Sequence, residues 1–165
     1  MGMGTDTESK VEVLPAQDAH IPEIIKIWKE FMDFHKGIDL FFARSADGHI
    51  HQEKHIRDSM QSENAQVLVA VRNGEVVAYS ISEIHVRPPV FCYRTFGVIS
   101  DLAVKSAYRR KGIGGKMLEK IFEWFNSRNI HRIELRVVSE NQIGYNFWKK
   151  HGFQDYMHSL YQIRK

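Results

Sequence analysis

Apolar residues near the amino-terminal end recur first at strand spacing and then at helical spacing. The alternating residues 11–14 predict a short strand that stops at Pro15. From Asp18, which can cap a helix, apolar side chains recur every three or four residues as far as Gly37. This spacing predicts an amphipathic helix, and a weaker helical pattern follows over residues 52–62.

From residue 67 onward the pattern becomes that of paired strands. Runs 67–71 and 76–84 flank Asn73-Gly74, the dipeptide most typical of a two-residue hairpin turn. The elements predicted after this hairpin are a strand over 95–104, a helix over 112–127, a strand over 131–138, a helix over 142–151 and a last strand or hairpin over 153–163. This order predicts an α+β fold with a mixed central β-sheet.

Length and composition narrow the class of protein. The 165 residues predict a single domain over 10–165, preceded by a disordered leader over 1–9. No run approaches the roughly 18 apolar residues of a membrane-spanning helix, and no secretory signal is recognisable. Cys92 is the only cysteine, so an intramolecular disulfide is excluded and a reducing cytoplasm is the expected location. The net charge of +3 fits an anionic small ligand as well as a nucleic acid.

The segment between the strand ending at residue 104 and the next helix is rich in glycine and basic residues. Gly112 and Gly114 would let the backbone approach a ligand, and the following helix presents its positive end there. Two nucleotide-binding motifs fail at Met117, where a Walker loop needs Ser or Thr and a dinucleotide fingerprint needs Gly. The residues alone allow two interpretations of this segment, an anion-binding loop or a solvated turn.

Two blocks of sequence resemble the GNAT acetyltransferases. Residues 98–104, followed by Arg109, Gly112 and Gly114, match the family's central motif, which ends in Arg/Gln-x-x-Gly-x-Gly/Ala. Downstream, Asn141, Phe147-Trp148 and Gly152-Phe153 are similar to the family's second motif. The resemblance covers about residues 66–155 and implies a GNAT-like fold with helices on both faces of the sheet.

The resemblance further implies that acetyl-CoA is the cosubstrate, with no metal. In the family it lies between two parallel strands that splay apart, here the strands ending at residues 104 and 138. The residues implied in binding it are Leu102, Ala103, Val104, Arg109, Arg110, Lys111, Gly112, Ile113, Gly114, Gly115, Asn141 and Trp148.

Transfer to an amine requires a base, because an amine with a pKa near 10 is mostly protonated at neutral pH. Glu83 is the first candidate, since it ends the strand beside the active one on the face that carries Tyr79. Asp101 is the second candidate and His85 the third.

Two accounts of how the CoA thiol leaves are open, one with a protein acid and one without. Where the family commonly has a catalytic Tyr, this chain has Trp148, whose indole does not serve as an acid. Tyr145, four residues after Asn141, lies near the same helical face and could supply a hydroxyl. The other account needs no acid, since a thiol with a pKa near 8.5 is a fair leaving group. Trp148 would then pack on the pantetheine arm.

The expected acceptor is a primary amine, on a small molecule or on a protein. The alternative function is a domain that binds acyl-CoA without transfer, as a sensor or interaction module. Nucleic-acid binding is a third hypothesis and would require an affinity that falls steeply with salt; we expect neither nucleic-acid nor membrane partners, and we expect a homodimer. His51 and His55 have the spacing of a helical metal pair, but Gln52 replaces the Glu of zincin motifs, so no metal site is expected.

Overall fold

The computed structural model describes residues 10–165, so the predicted leader over 1–9 lies outside the described residues. Its strands and helices, in chain order, are β1 Glu12–Pro15, α1 Ile21–Ile38, α2 Gly48–Gln61, β2 Ala65–Arg72, β3 Glu75–Val86, β4 Thr95–Val104, α3 Ile113–Ser127, β5 Ile133–Glu134 and α4 Gln142–Lys150. Short 3-10 turns occupy Asp18–His20, Leu40–Phe42 and Ser106–Tyr108. The predicted α+β fold is confirmed.

The five strands form one mixed sheet in the order β1-β2-β3-β4-β5. The first three pairs are antiparallel, and β4 pairs with β5 in parallel. Asn73 and Gly74 form the turn between β2 and β3 with φ angles of 52° and 78°. Two successive positive φ angles are what a type I′ turn requires, and this is why the Asn-Gly pair predicts the hairpin.

Each face of the sheet buries its own hydrophobic core. On one face, Ile24 of α1 and Ile56 of α2 pack with Tyr79 and Ile81 of β3. On the other face, Met117, Ile121 and Phe125 of α3 pack against the sheet, joined by half-buried side chains of α4. The helices therefore lie on both faces, as the resemblance implies.

Gly97 of β4 is required by the packing of α3. A Cβ atom at this position would lie 2.4 Å from Cε1 of Phe125, whose side chain is fully buried. Because the ring has no room to withdraw, we expect Gly97→Ala to lower the free energy of unfolding by about 1–3 kcal/mol. Urea denaturation measures this directly.

Gly37 provides the matched control, because a Cβ there would meet nothing within 4 Å inside α1. Gly37→Ala should raise the free energy of unfolding by up to about 1 kcal/mol, since Ala is the better helix former. Phe125→Leu should cost less in the Gly97→Ala background than in the wild type. A Gly97→Ala protein as stable as the wild type would contradict this packing argument.

β4 and β5 separate almost as soon as they pair. Their register consists of Gly97 opposite Ile133 and Val98 opposite Glu134. The predicted strand over 131–138 is therefore reduced to two residues, and among residues 10–165 no strand pairs with that side of β4 from residue 99 to 104. The result is an open gap beside the second half of β4, where the splayed strands of the resemblance are expected.

A bulge in β4 changes which side chains face each core. Ile99 lies opposite Ser82, whereas Asp101 lies opposite Ile81, so Ser100 is the extra residue. After the bulge, Asp101 and Ala103 share the face of α1 and α2 with Tyr79.

Other sequence predictions were wrong in detail. Residues 153–165 form no regular secondary structure, because an alternating pattern becomes a strand only where another backbone can pair with it. Asp18 lies in a 3-10 turn, and the residue before α1 is His20. Gly37 lies inside α1, which ends at Ile38, and α2 begins at Gly48 rather than residue 52.

Candidate active site

Backbone groups of β4 point into the gap between β4 and β5. The amide of Lys105 donates to the carbonyl of Val77 at 2.9 Å, which fixes the alternation of the β3–β4 ladder. Because bonding to an antiparallel neighbour alternates along a strand, Ala103 faces β3, whereas Leu102 and Val104 direct their N–H and C=O groups away from it. The gap is thus lined by strand amides and carbonyls without a strand partner.

The amino-terminal end of α3 has the features of an anion-binding site. Gly112 precedes the helix with a φ of 76°, no side chain caps the end, and the first turn holds no acidic residue. The amides of the first helical residues have no acceptor within the helix. At α4, in contrast, the Asn141 Oδ1 accepts from the amide of Gly144 at 3.0 Å. The free amides and positive end of α3 therefore suit a phosphate group.

The connection from β4 to α3 is anchored by three glutamates. Lys105 Nζ lies 2.7 Å from Glu75 and 3.3 Å from Glu23. Glu30 accepts from the amide of Ser106 at 2.9 Å. Ion pairs and hydrogen bonds to β3 and α1 thus fix the loop before it reaches the helix end.

The structure places the basic side chains of this loop differently from one another. Arg109 Nε donates to the carbonyl of Val104 at 3.1 Å, and its guanidinium lies 3.7 Å from Glu30. Arg110 is exposed and has a φ of 60°, and Lys111 is exposed with its Nζ 5.5 Å from the ring centroid of Tyr108. Arg109 therefore positions the loop, and Arg110 and Lys111 carry the charge that faces solvent.

Asp101 is half-buried on the face of α1 and α2. Its Oδ2 accepts from the hydroxyl of Tyr79 at 2.8 Å and from Gln52 Nε2 at 3.2 Å. Burial raises the pKa of Asp101 above its ordinary value, although these two hydrogen bonds and the nearby His55 act to lower it. Burial also raises the pKa of Tyr79, which therefore stays a hydroxyl donor.

Glu83 lies on the same face, closer to solvent. Its Oε2 accepts from Ser100 Oγ at 2.9 Å and lies 3.1 Å from His85 Nε2, and its Oε1 lies 3.9 Å from His55 Nε2. Burial acts to raise the pKa of Glu83, but the hydrogen bonds from His85 and Ser100 and the charges of the two histidines outweigh it. The pKa of Glu83 is therefore lowered. The pKa values of Asp101 and Glu83 are thus shifted in opposite directions.

The predicted residues of α4 do not join this cluster. The hydroxyl of Tyr145 donates to Asp155 at 3.1 Å, and this bond raises the pKa of Tyr145. Trp148 is half-buried and packs edge-on against the rings of Phe147 and Phe153. Asn141 caps the helix and Trp148 contributes to the core of α3, so both have structural contacts in addition to the predicted binding roles.

The family model of the GNAT acetyltransferases matches residues 24–153, which is most of the chain. This chain belongs to the GNAT acetyltransferase family. The membership confirms the resemblance carried by the loop before α3 and by the block beginning at Asn141, and it identifies the protein as an acetyltransferase.

Known proteins resemble this acetyltransferase in fold more than in sequence. The crystal structure of a tetramutant of the BH1408 protein from Bacillus halodurans superposes with a TM-score of 0.85 at 23% identity, over 93% of this chain and 99% of that one. A predicted acetyltransferase from Clostridium acetobutylicum, solved with acetyl-CoA, has a TM-score of 0.75 at 21% identity, over 93% and 96% of the two chains. The aminoglycoside 6′-N-acetyltransferase AAC(6′)-Ig from Acinetobacter haemolyticus has a TM-score of 0.73 at 15% identity, over 93% and 98%.

One curated relative matches over a shorter segment. A stretch of 58 residues is 33% identical to streptothricin acetyltransferase A of Bacillus subtilis (strain 168), covering 35% of this acetyltransferase and 34% of that protein. The match thus spans about a third of the relative's length.

Sequence reasoning missed three members of the carboxylate cluster. Gln52 and His55 reach it from α2, and Ser100 reaches it from the bulge in β4. The spacing of Gln52 and His55 places them on one face of a helix, which was an available signal. The bulge that turns Asp101 toward them depends on strand register and left no local signal.

Neither a metal-binding cluster nor a membrane-spanning helix is found in the part of the chain that the structure describes. Among residues 10–165, no group of three or more His, Cys, Asp or Glu side chains is arranged to hold a metal ion. His51 lies 3.2 Å from Asp47, whereas His55 is directed toward Glu83, so the two histidines do not converge. Within the same residues, no helix has the length and apolarity to cross a membrane.

Removal of the Tyr145 hydroxyl tests whether the acetyltransferase uses a protein acid. Because this hydroxyl is bonded to Asp155 and its pKa is raised, we expect Tyr145→Phe to keep the turnover number within about twofold of the wild type. Tyr161→Phe, in the exposed carboxyl-terminal segment, is the matched control. A loss of about a hundredfold in Tyr145→Phe alone would identify Tyr145 as the acid.

Proposed function

We propose that this acetyltransferase moves an acetyl group from acetyl-CoA to a primary amine by direct attack of the amine. The observation that carries the proposal is the succession of three features along one segment of chain. Asp101, whose pKa is raised, directly precedes Leu102. Leu102 and Val104 direct backbone groups away from β3 into the gap, and the chain then leads to the uncapped end of α3.

The residues around the gap fit the donor. Acetyl-CoA supplies a thioester that is activated toward amines and a pyrophosphate that needs an anion site. The amides of Ile113, Gly114 and Gly115 would hold the pyrophosphate, with Arg110 and Lys111 adding positive charge. The N–H groups of Leu102 and Val104 would bind the pantetheine arm and polarise the acetyl carbonyl.

We assign the base to Asp101 rather than to Glu83, the first candidate from sequence. A base works best when its pKa approaches the working pH, and only Asp101 is shifted in that direction. Its Oδ1 has no hydrogen-bond partner among the described residues, because Tyr79 and Gln52 both bind Oδ2. Asp101 also directly precedes Leu102, whose backbone lines the gap.

The acceptor class is proposed from the same geometry. Proteins of similar fold include aminoglycoside 6′-N-acetyltransferases, and the curated relative is a streptothricin acetyltransferase. These names support a small-molecule amine more than a protein amine. The homodimer and the cytoplasmic location stay predictions.

A panel of primary amines, read by release of the CoA thiol, tests the proposal. We expect thiol release that requires both acetyl-CoA and an amine and that saturates with each. Omission of the amine is the control, because it separates transfer from hydrolysis. Tight binding of acetyl-CoA with no thiol release from any amine would contradict transfer and favour the acyl-CoA-binding alternative.

A further inference from the structure

A polar pocket adjoins the carboxylate cluster on the side away from the CoA loop. Its volume is about 280 Å³, close to the lower end of the range for small-molecule sites. The lining includes His55, Glu83 and His85, together with Ser59, Ser62 and Asn64. The pocket therefore begins at the residues that surround the proposed base and continues between α2 and the adjoining ends of β2 and β3.

Glu83 is one of two carboxylates that line this pocket, and it lacks a permanently charged partner, whereas the other, Asp58, pairs with Lys54. The contacts of Glu83 are Ser100, His85 and His55, with no Lys or Arg among its partners in residues 10–165. Glu23 and Glu75, in contrast, both pair with Lys105. The side chain of Glu83 is only 26% exposed, and its hydrogen-bonding neighbours are a hydroxyl and an imidazole. Its carboxylate can therefore accept a further, charge-assisted hydrogen bond from an ammonium group bound in the pocket.

The relation between Glu83 and Asp101 limits what the cation can be. Asp101 lies opposite Ile81 in the register, and Glu83 is two residues further along β3, a step of about 7 Å along the strand. Both side chains lie on the same face and both are influenced by His55. A monoamine offers a nitrogen to only one of the two carboxyl groups, whereas a flexible chain with a nitrogen at each end offers one to each.

We infer that the acceptor is a diamine, with its reacting nitrogen at Asp101 and its second, protonated nitrogen bound by Glu83 in this pocket. The inference rests on the proposed acetyl transfer and adds the substrate class. The hydroxyl groups of Ser59 and Ser62 suit the polar surroundings of an ammonium group, and the pocket is open to solvent, so the far end of a flexible chain can enter it.

Binding of a matched pair of amines tests the inference without requiring turnover. The full-length protein is titrated calorimetrically at pH 8 with 1,4-diaminobutane and with 4-aminobutan-1-ol, in which a hydroxyl replaces the second nitrogen. We expect the diamine to bind about tenfold more tightly, as one charge-assisted hydrogen bond provides. Glu83→Gln should abolish this ratio, and Glu119→Gln, on the exposed face of α3, should keep it.

Equal affinity for the two amines in the wild type, including no measurable binding of either, would overturn the inference. So would a diamine preference that survives in Glu83→Gln. A parallel assay of thiol release keeps the two proposals apart. Selective binding of the diamine without thiol release would support the diamine site and count against acetyl transfer. Thiol release with equal affinity for the two amines would support acetyl transfer and count against the diamine site.

Discussion

Replacing Asp101 by Asn should lower the turnover number by about 10²- to 10⁴-fold, the range for losing a general base. The amide keeps an oxygen that can accept from Tyr79 and Gln52, so the fold around β4 should be preserved. The dissociation constant of acetyl-CoA should stay within about twofold of the wild-type value, because the proposed donor site consists of backbone amides. Steady-state kinetics at saturating amine and calorimetry with acetyl-CoA measure the two effects.

The same substitution should stabilise the protein at neutral pH. The pKa of Asp101 is raised above 3.8 in the folded state, so the folded protein favours the protonated carboxyl. This contribution to stability is complete below the unfolded-state pKa and is lost as the pH rises through the folded-state pKa. Asn has no proton to lose. The melting temperature of Asp101→Asn should therefore exceed that of the wild type at pH 8, and the difference should shrink as the pH falls toward 4.

Glu83→Gln separates the roles of the two carboxylates. If Glu83 binds the acceptor, this substitution should act mainly on the Michaelis constant for a diamine, whereas Asp101→Asn should act on the turnover number. An Asp101→Asn enzyme that keeps most of its turnover would contradict the assignment of the base. A hundredfold loss of turnover in Glu83→Gln, with none in Asp101→Asn, would assign the base to Glu83.

Gly112→Glu should weaken the binding of acetyl-CoA by about 30- to 150-fold. A carboxylate at the uncapped end of α3 would occupy the position of the pyrophosphate and repel it, and the loss of one charged hydrogen bond costs about 2–3 kcal/mol. A left-handed φ of 76° at this residue adds backbone strain for any side chain other than that of Gly. Calorimetric titration with acetyl-CoA measures the dissociation constant.

Gly74 is a close control, since its φ is 78° and a Cβ there would also meet nothing within 4 Å. Gly74→Glu places the same strain and charge at the β2–β3 turn and should leave the affinity for acetyl-CoA within about twofold. Gly112→Ala introduces the strain without the charge and should fall between the two. Equal affinities in Gly112→Glu and the wild type would mean that the end of α3 does not hold the pyrophosphate.

The donor side of the site could be predicted from sequence because it is local. The strand, loop and helix from residue 95 to 127 are contiguous, and the glycines of the proposed anion site lie within a few residues of one another. The hairpin at Asn73 and Gly74 is equally local. In such segments the residue types themselves determine the backbone geometry.

The acceptor side could be predicted only in part because it depends on distant contacts. Asp101 meets Gln52 across 49 positions of sequence, and the bulge at Ser100 decides which face Asp101 occupies. Sequence reasoning ranked Glu83 above Asp101 because the hydrogen bonds and burial that separate their pKa values arise only in the folded chain. The strand predicted over 153–163 does not form for a related reason, because an alternating pattern does not show whether another strand is available to pair with it.

The fate of an isotope-labelled acetyl group tests the central claim most directly. Acetyl-CoA labelled in the acetyl carbonyl is incubated with the wild-type enzyme and 1,4-diaminobutane, and the products are followed by nuclear magnetic resonance. Our account predicts that the label appears in an amide of the amine, in proportion to the thiol released, and that Asp101→Asn suppresses both. Label recovered as free acetate, at a rate that does not depend on the amine, would contradict it.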